Sequence, residues 1–143
     1  MSFFGKFFSR SSSGTGHEQI VAQVVAMEKA MNDVSPYAAN AAKETGDKLR
    51  SLVSSQPDQF RKLLVDEGMS AGNIVAAMAA QDADQLLSSG QLHIYRGVLS
   101  ERGKGYLAVF RYCLKNMVAT GHMEQEYATE LDGNLQEAIR EVG

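Results

Sequence analysis

The sequence predicts an all-α fold: a single compact bundle of five to seven helices in two layers, preceded by a flexible N-terminal segment. Three observations lead to this prediction. The 143 residues are 44% hydrophobic and 22% charged, which suits one domain with its own core. Apolar residues recur at steps of three and four along most of the chain. The two prolines, Pro36 and Pro57, both stand where helices would begin. We divide the chain into an aromatic segment (1–10), a Ser/Gly linker (11–16) and a helical bundle domain (17–143).

The aromatic segment holds four of the six phenylalanines of the chain. On a helix these four would share one face, with the two cations elsewhere, so the segment would be amphipathic. Such a segment suits contact with a protein partner, with a second copy or with a membrane surface; docking on its own domain and disorder are the alternatives. The predicted contact residues are Phe3, Phe4, Lys6, Phe7, Phe8 and Arg10.

Two amphipathic helices are predicted after the linker. Apolar spacing places one face on each: Ile20, Val24, Met27, Met31 and Val34 on the first, and Ala38, Ala42, Thr45, Leu49 and Leu52 on the second. Ser35 followed by Pro36 is typical of an N-cap and the first helical residue, so the second helix begins there. Gly46 is expected to weaken that helix locally.

Shorter helices are predicted in the middle of the chain. One begins at Pro57 and ends at Gly68, which we expect in a left-handed conformation. Ser70 caps the next, and Asp82 restarts a short final helix before Gly90. For residues 92–99 we favour a helix over the alternative, one arm of a hairpin that turns at 103–105.

The last two helices are predicted to form an antiparallel hairpin. The first runs from Tyr106 to Gly121 and the second from Met123 to Val142. Cys113 is the single cysteine and lies in an apolar helical run, so we interpret it as a core residue in a reducing compartment.

Charge is distributed unevenly over this C-terminal part. Residues 96–115 carry five basic residues against Glu101 alone, a net +4, whereas the chain beyond Asn116 carries six acidic residues and Arg140, a net −5. We interpret this as attraction between neighbouring helices. The alternative is a basic groove for an acidic partner or nucleic acid, with Tyr95, Tyr106 and Tyr112 interleaved. The formal net charge of −3 provides no general attraction to nucleic acid, and none is expected as a partner.

Residues 100–105 resemble a phosphate-binding loop only in composition, because the spacing of a P-loop is absent. Arg96, Arg102 and Lys104 are nevertheless candidates for a general anion site, with a plain flexible turn as the alternative. His17, His93 and His122 lack the spacing of metal ligands, and no serine lies in a nucleophile elbow. No metal, cofactor or catalytic residue is therefore predicted.

The predicted function is a non-enzymatic interaction or regulatory module that binds a protein partner or itself. No apolar run is long enough to span a bilayer and no secretory signal is recognisable, so we expect a cytoplasmic protein, with peripheral membrane attachment through the aromatic segment as a variant. Two alternatives stay open. One is a bundle that binds a small molecule or an anion, lined by adaptable methionines. The other is an enzyme whose site is assembled from distant residues.

Overall fold

The computed structural model describes the backbone of residues 3–88, 94–95 and 97–141, and side chains within residues 17–87 and 97–141. In this part of the chain six α-helices pack as one bundle, which confirms the predicted fold class. The helices are α1 (Phe3–Asn32), α2 (Pro36–Ser55), α3 (Pro57–Arg61), α4 (Ala71–Ser88), α5 (Glu101–Ala119) and α6 (Gln125–Arg140). A π-helical turn (Lys62–Asp66) follows α3, and the strands β1 (Ile94–Tyr95) and β2 (Val98–Leu99) precede α5.

The first two helices bury most of their predicted faces. Ile20, Val24, Met27 and Met31 are at most 3% exposed, as the spacing of α1 predicts. Val34 is 57% exposed because α1 ends at Asn32, so its assignment to this face is wrong. The Oγ of Ser35 accepts a hydrogen bond from the Ala38 N–H at 3.0 Å, which confirms the predicted cap of α2.

The backbone of α1 is helical throughout the predicted linker, so the small residues at 11–16 do not interrupt the secondary structure. Side chains of residues 3–16 lie outside the described set, and the domain division at residue 17 stays a prediction. His17 is the first side chain with a described contact: its Nε2 lies 2.9 Å from the carbonyl oxygen of Pro57 in α3. Burial in the core begins one turn later, at Ile20.

The middle helices differ from the prediction in their lengths. Helix α3 ends at Arg61, and the π-helical turn carries the chain to Gly68, whose φ of 66° is the left-handed conformation expected there. The predicted restart at Asp82 is wrong, since α4 continues through it without a break. The small side chains of Ala79 and Ala83 are fully buried on both sides of that point, so one continuous face packs into the core.

Residues 94–99 contain a short antiparallel hairpin in place of the favoured helix. Ile94 pairs with Leu99 and Tyr95 with Val98. The chain reverses at Gly97, whose φ of 77° suits a tight turn. The predicted turn at 103–105 is also wrong, because these residues lie within α5. Residues 89–93 and 96, which include the predicted stop at Gly90, lie outside the described set.

Helix α5 packs on α4 and α2, and α6 packs on α4 and α5. It begins at Glu101, earlier than predicted, because the Ser100 Oγ caps it by accepting a hydrogen bond from the Gly103 N–H at 3.1 Å. It ends before Gly121, whose φ of 80° agrees with the predicted stop. Arg111 of α5 pairs with Asp132 of α6, and both lie about equally far from Gly121, as an antiparallel hairpin requires.

Candidate functional site

A polar network joins the start of α5 to α2. The hydroxyl of Tyr106 donates a hydrogen bond to Oε1 of Glu44, and Nη2 of Arg102 lies 3.0 Å from the same oxygen. The Arg102 guanidinium also lies 5.8 Å from the centre of the Tyr106 ring, a cation–π distance. Tyr106 is 1% exposed, and the Glu44 carboxylate gives its buried hydroxyl a hydrogen-bond partner. The network therefore satisfies a buried polar group and fixes α5 against α2.

Protonation in this network is stable near neutral pH. Burial, followed by the hydrogen bond to the Glu44 carboxylate, raises the pKa of Tyr106 to about 12. The hydrogen bond from Tyr106 lowers the pKa of Glu44, against the opposing effect of partial burial, and Arg102 lowers it further. Neither group changes its charge near pH 7, so the geometry does not provide a general acid or base there.

Only two of the three predicted anion-binding residues, Arg102 and Lys104, lie within the described part of the chain. Arg102 pairs with Glu44, and Lys104 pairs with Glu101 at 3.4 Å, so each of these cations already has a carboxylate partner. Arg96 lies outside the described residues. The anion site stays a prediction. The sequence analysis missed Glu44, because 62 residues separate it from Tyr106 and no local pattern links them.

A groove of about 480 Å³ lies beside the network. It is lined by Tyr37, Asn40, Ala41, Lys43, Glu44, Asp47, Arg102 and Tyr106. Its charged side chains pair with one another: Lys43 lies 3.5 Å from Asp47, and Arg102 pairs with Glu44. A charged ligand would have to compete with these pairs, so the groove offers little charge to recognise it.

A second groove, of about 330 Å³, lies between the last two helices and is called here the α5–α6 groove. It is lined by Arg111, Leu114, Lys115, Val118, Gln125, Ala128, Thr129 and Asp132. Leu114 and Ala128 are each 5% exposed, and Val118 is half-buried, so these three form an apolar floor. Polar side chains form the rim, a combination typical of a binding groove.

The rim of the α5–α6 groove is held by one bidentate ion pair. Nε of Arg111 lies 2.9 Å from Oδ1 of Asp132, and its Nη2 lies 3.3 Å from Oδ2. Gln136 donates a further hydrogen bond to Oδ2 at 2.8 Å. Partial burial opposes ionisation, but these hydrogen bonds outweigh it and lower the pKa of Asp132. The pair also joins the basic and acidic parts of the chain, in agreement with the attraction interpreted from the charge pattern.

The predicted aromatic segment lies in the N-terminal part of α1, and its backbone is helical from Phe3. Its side chains, and hence their contacts, lie outside the described set.

Cys113 is 1% exposed, as expected of a core residue, and burial raises the pKa of its thiol to about 12. His122 contacts Thr120 at 2.9 Å in the turn before α6, and His93 is not described.

Among the residues that the structure describes, no group of three or more His, Cys, Asp or Glu side chains is arranged to hold a metal ion. Within the same residues, no helix combines the length and the apolar composition needed to cross a bilayer. Comparison with protein-family models, with curated proteins and with solved structures gave no match.

Proposed function

We propose that this chain is a non-enzymatic helical interaction module that binds protein, including copies of itself, through its aromatic N-terminal segment. One observation supports this most directly: the segment belongs to the same helix, α1, that the bundle holds from Ile20 onward. A short free helix is only marginally stable in water, since its first turn is costly to form. A segment that extends an existing helix avoids that cost and can present a formed surface to a partner.

Helical geometry gives the direction of the phenylalanine positions relative to the face of α1 that packs on the bundle. At about 100° per residue, the mean position of Phe3, Phe4, Phe7 and Phe8 lies roughly 160° around the helix from that of the buried stripe of α1. The phenylalanine positions therefore do not continue the face that packs on the bundle. Contact with a second molecule accounts for them better than docking of a straight α1 on its own core.

The same side of α1 stays open along the bundle. Ala22, Val25 and Ala26 occupy these positions together with the charged residues Glu18 and Lys29, and Val25 is 40% exposed. Burying a phenylalanine contributes on the order of 2 kcal/mol, so four of them could support association even after ordering costs.

Sedimentation of the full chain tests the proposal. Wild type should self-associate with rising concentration, whereas the F3S/F4S/F7S/F8S variant should sediment as a monomer at the same concentrations. V65S is the control, because Val65 is 70% exposed in the π-helical turn and lies outside α1. Phenylalanine-dependent sedimentation with liposomes by a monomeric wild type would indicate the peripheral membrane variant instead. A wild type that stays monomeric and does not bind liposomes would contradict both self-association and membrane attachment.

A further inference from the structure

We propose that the α5–α6 groove is the docking site for the aromatic segment of a second copy of this chain. The inference rests on the proposed function and names the surface that receives the segment. The groove of about 330 Å³ would take only some of the phenylalanines at positions 3, 4, 7 and 8, which would pack on Val118 and on the edges of Leu114 and Ala128 that remain exposed. An amphipathic helix placed in an apolar groove between two helices is a recurring mode of peptide recognition.

Charge complementarity favours this occupant. Residues 1–16 contain Lys6 and Arg10 and no acidic residue, whereas the chain from Gly121 onward carries a net −5. Glu126 and Glu130 of α6 are exposed and flank the groove residue Thr129 along the helix, whereas Glu137 on the same side is paired with Arg140. The cations of the docked segment would face Glu126 and Glu130.

The α5 rim of the groove also constrains how the docked segment is oriented. Arg111 and Lys115 of α5 border the groove on that side, and Arg111 is already neutralised by Asp132. Lys115 would repel Lys6 and Arg10, so the segment would place its cations toward α6 and away from α5. Gly133 of α6, one turn after Thr129, has no side chain, and a Cβ added to it would meet no atom within 4 Å, so the helix surface is open at that point.

The architecture favours a segment supplied in trans. Helix α1 packs mainly on α2 and α4, whereas α6 packs on α4, α5 and β2. Because α1 is one helix from Phe3 to Asn32, its first residues cannot turn back to α6 of the same chain without breaking that helix. A second copy meets no such restriction. A segment-to-groove contact joins two different surfaces, so it can propagate beyond a dimer unless it closes into a ring.

The test uses the wild-type full chain, labelled with a fluorophore at its C-terminus and kept at trace concentration, and measures its anisotropy against the full-length F3S/F4S/F7S/F8S chain, whose own segment does not compete. On this receptor we add T129R, which places a cation and a long side chain at the groove rim, or S51R, which makes the same charge change on α2. Thr129 and Ser51 are both exposed, so both variants should fold. We expect T129R to weaken binding of the labelled chain by about tenfold or more, and S51R to leave it within about twofold.

Other results overturn the assignment. No binding of the labelled chain to the receptor, or equal weakening by T129R and S51R, would show that the groove does not receive the segment. Binding of the labelled chain to anionic vesicles but not to the receptor would assign the segment to a membrane surface. Introducing T129R into the otherwise wild-type chain separates the two proposals: if phenylalanine-dependent self-association persists undiminished, the interaction module stands and the groove assignment falls.

Discussion

Gly105 of α5 lies directly against the backbone of Tyr37 in α2, so that the two helices meet there without a side chain between them. A Cβ on Gly105 would collide with the carbonyl group of Tyr37 and approach the Ala38 nitrogen to 3.1 Å. These atoms belong to the first turn of α2, which the Ser35 cap holds in place. The absent side chain at Gly105 therefore sets how closely α5, with Tyr106 and its partners, approaches α2.

Replacing Gly105 with alanine should destabilise the fold by about 1–3 kcal/mol, because backbone atoms cannot give way as a flexible side chain can. Urea unfolding measures the change in the free energy of unfolding. G133A is the matched control: Gly133 lies in α6 with open space around its Cβ position, so alanine should stabilise by about 0.5–1 kcal/mol. Equal effects of the two substitutions would contradict the close approach of α5 to α2.

Replacing Tyr106 with phenylalanine should lower the free energy of unfolding by about 1 kcal/mol at neutral pH, since it removes the hydrogen bond to Glu44. The loss should stay near that value, because Arg102 still pairs with Glu44 and water reaches that carboxylate, so the substitution leaves no unpaired buried charge. Y112F, a half-buried tyrosine on the same helix, serves as the control. Equal stabilities of Y106F and wild type would show that the network does not stabilise the contact of α5 with α2.

The network also makes stability depend on pH at both extremes. The pKa of Glu44 is lowered in the folded chain, so its contribution is present above the ordinary value of 4.5 and disappears as the pH falls through the folded value. The pKa of Tyr106 is raised from 10.0 to about 12, so the folded chain keeps a proton that the unfolded chain loses, and stability declines from pH 10 toward 12. Unfolding of wild type and Y106F across pH should show the two curves converging in acid and in alkali. A constant difference at all pH values would contradict this linkage.

Local chemistry explains what the sequence predicted well. The caps at Ser35 and Ser70 were predictable because a capping side chain bonds to an N–H only three residues away, and both bonds are present. The buried stripe of α1 was predictable for a similar reason, since its spacing reports one helix face. Ser100 gave the same local signal as the other caps, with Glu101 in the first turn, and it could have placed the start of α5.

Contacts between distant segments explain what the sequence could not predict. The sequence favours a turn at Gly103 and Gly105, because no local pattern indicates the Leu99 side chain beside Gly103 or the α2 backbone beside Gly105. In the structure both are helical, and their small size permits close packing. Glu44 could not be assigned to Tyr106 for the same reason. The α5–α6 groove likewise exists only once two helices pack side by side.

Thr45 provides a test of the contact between α2 and α4. It is fully buried, and its hydroxyl donates a hydrogen bond to Oδ2 of Asp82 at 2.9 Å, while Lys48 lies 3.0 Å from Oδ1. Replacing Thr45 with valine should cost about 1.5–3 kcal/mol in thermal or urea unfolding, as expected for a hydrogen bond to a charged acceptor. T45S keeps the hydroxyl and should lose less. A serine variant that is less stable than the valine variant would show that methyl packing outweighs the hydrogen bond.

Cys113 reports on opening of the core, because it is the single cysteine of the chain and only 1% exposed. Burial raises the pKa of its thiol to about 12, so the folded chain holds almost no thiolate near neutral pH. We expect a thiol-specific reagent to label the native protein at least about a hundredfold more slowly than the urea-unfolded protein, since the reagent must wait for opening. Mass spectrometry at timed intervals measures both rates.

The dependence of that labelling on stability distinguishes a core thiol from a surface one. If the reaction requires opening of the bundle, the destabilised G105A variant should be labelled faster than wild type, and the stabilised G133A variant more slowly. For global opening the labelling rate should rise about tenfold for each 1.4 kcal/mol of stability lost. If Cys113 reacted through a local channel, both variants would label at the wild-type rate. Native labelling as fast as that of the unfolded chain would contradict its burial between α5 and its neighbours, and with it the predicted role of Cys113 as a core residue.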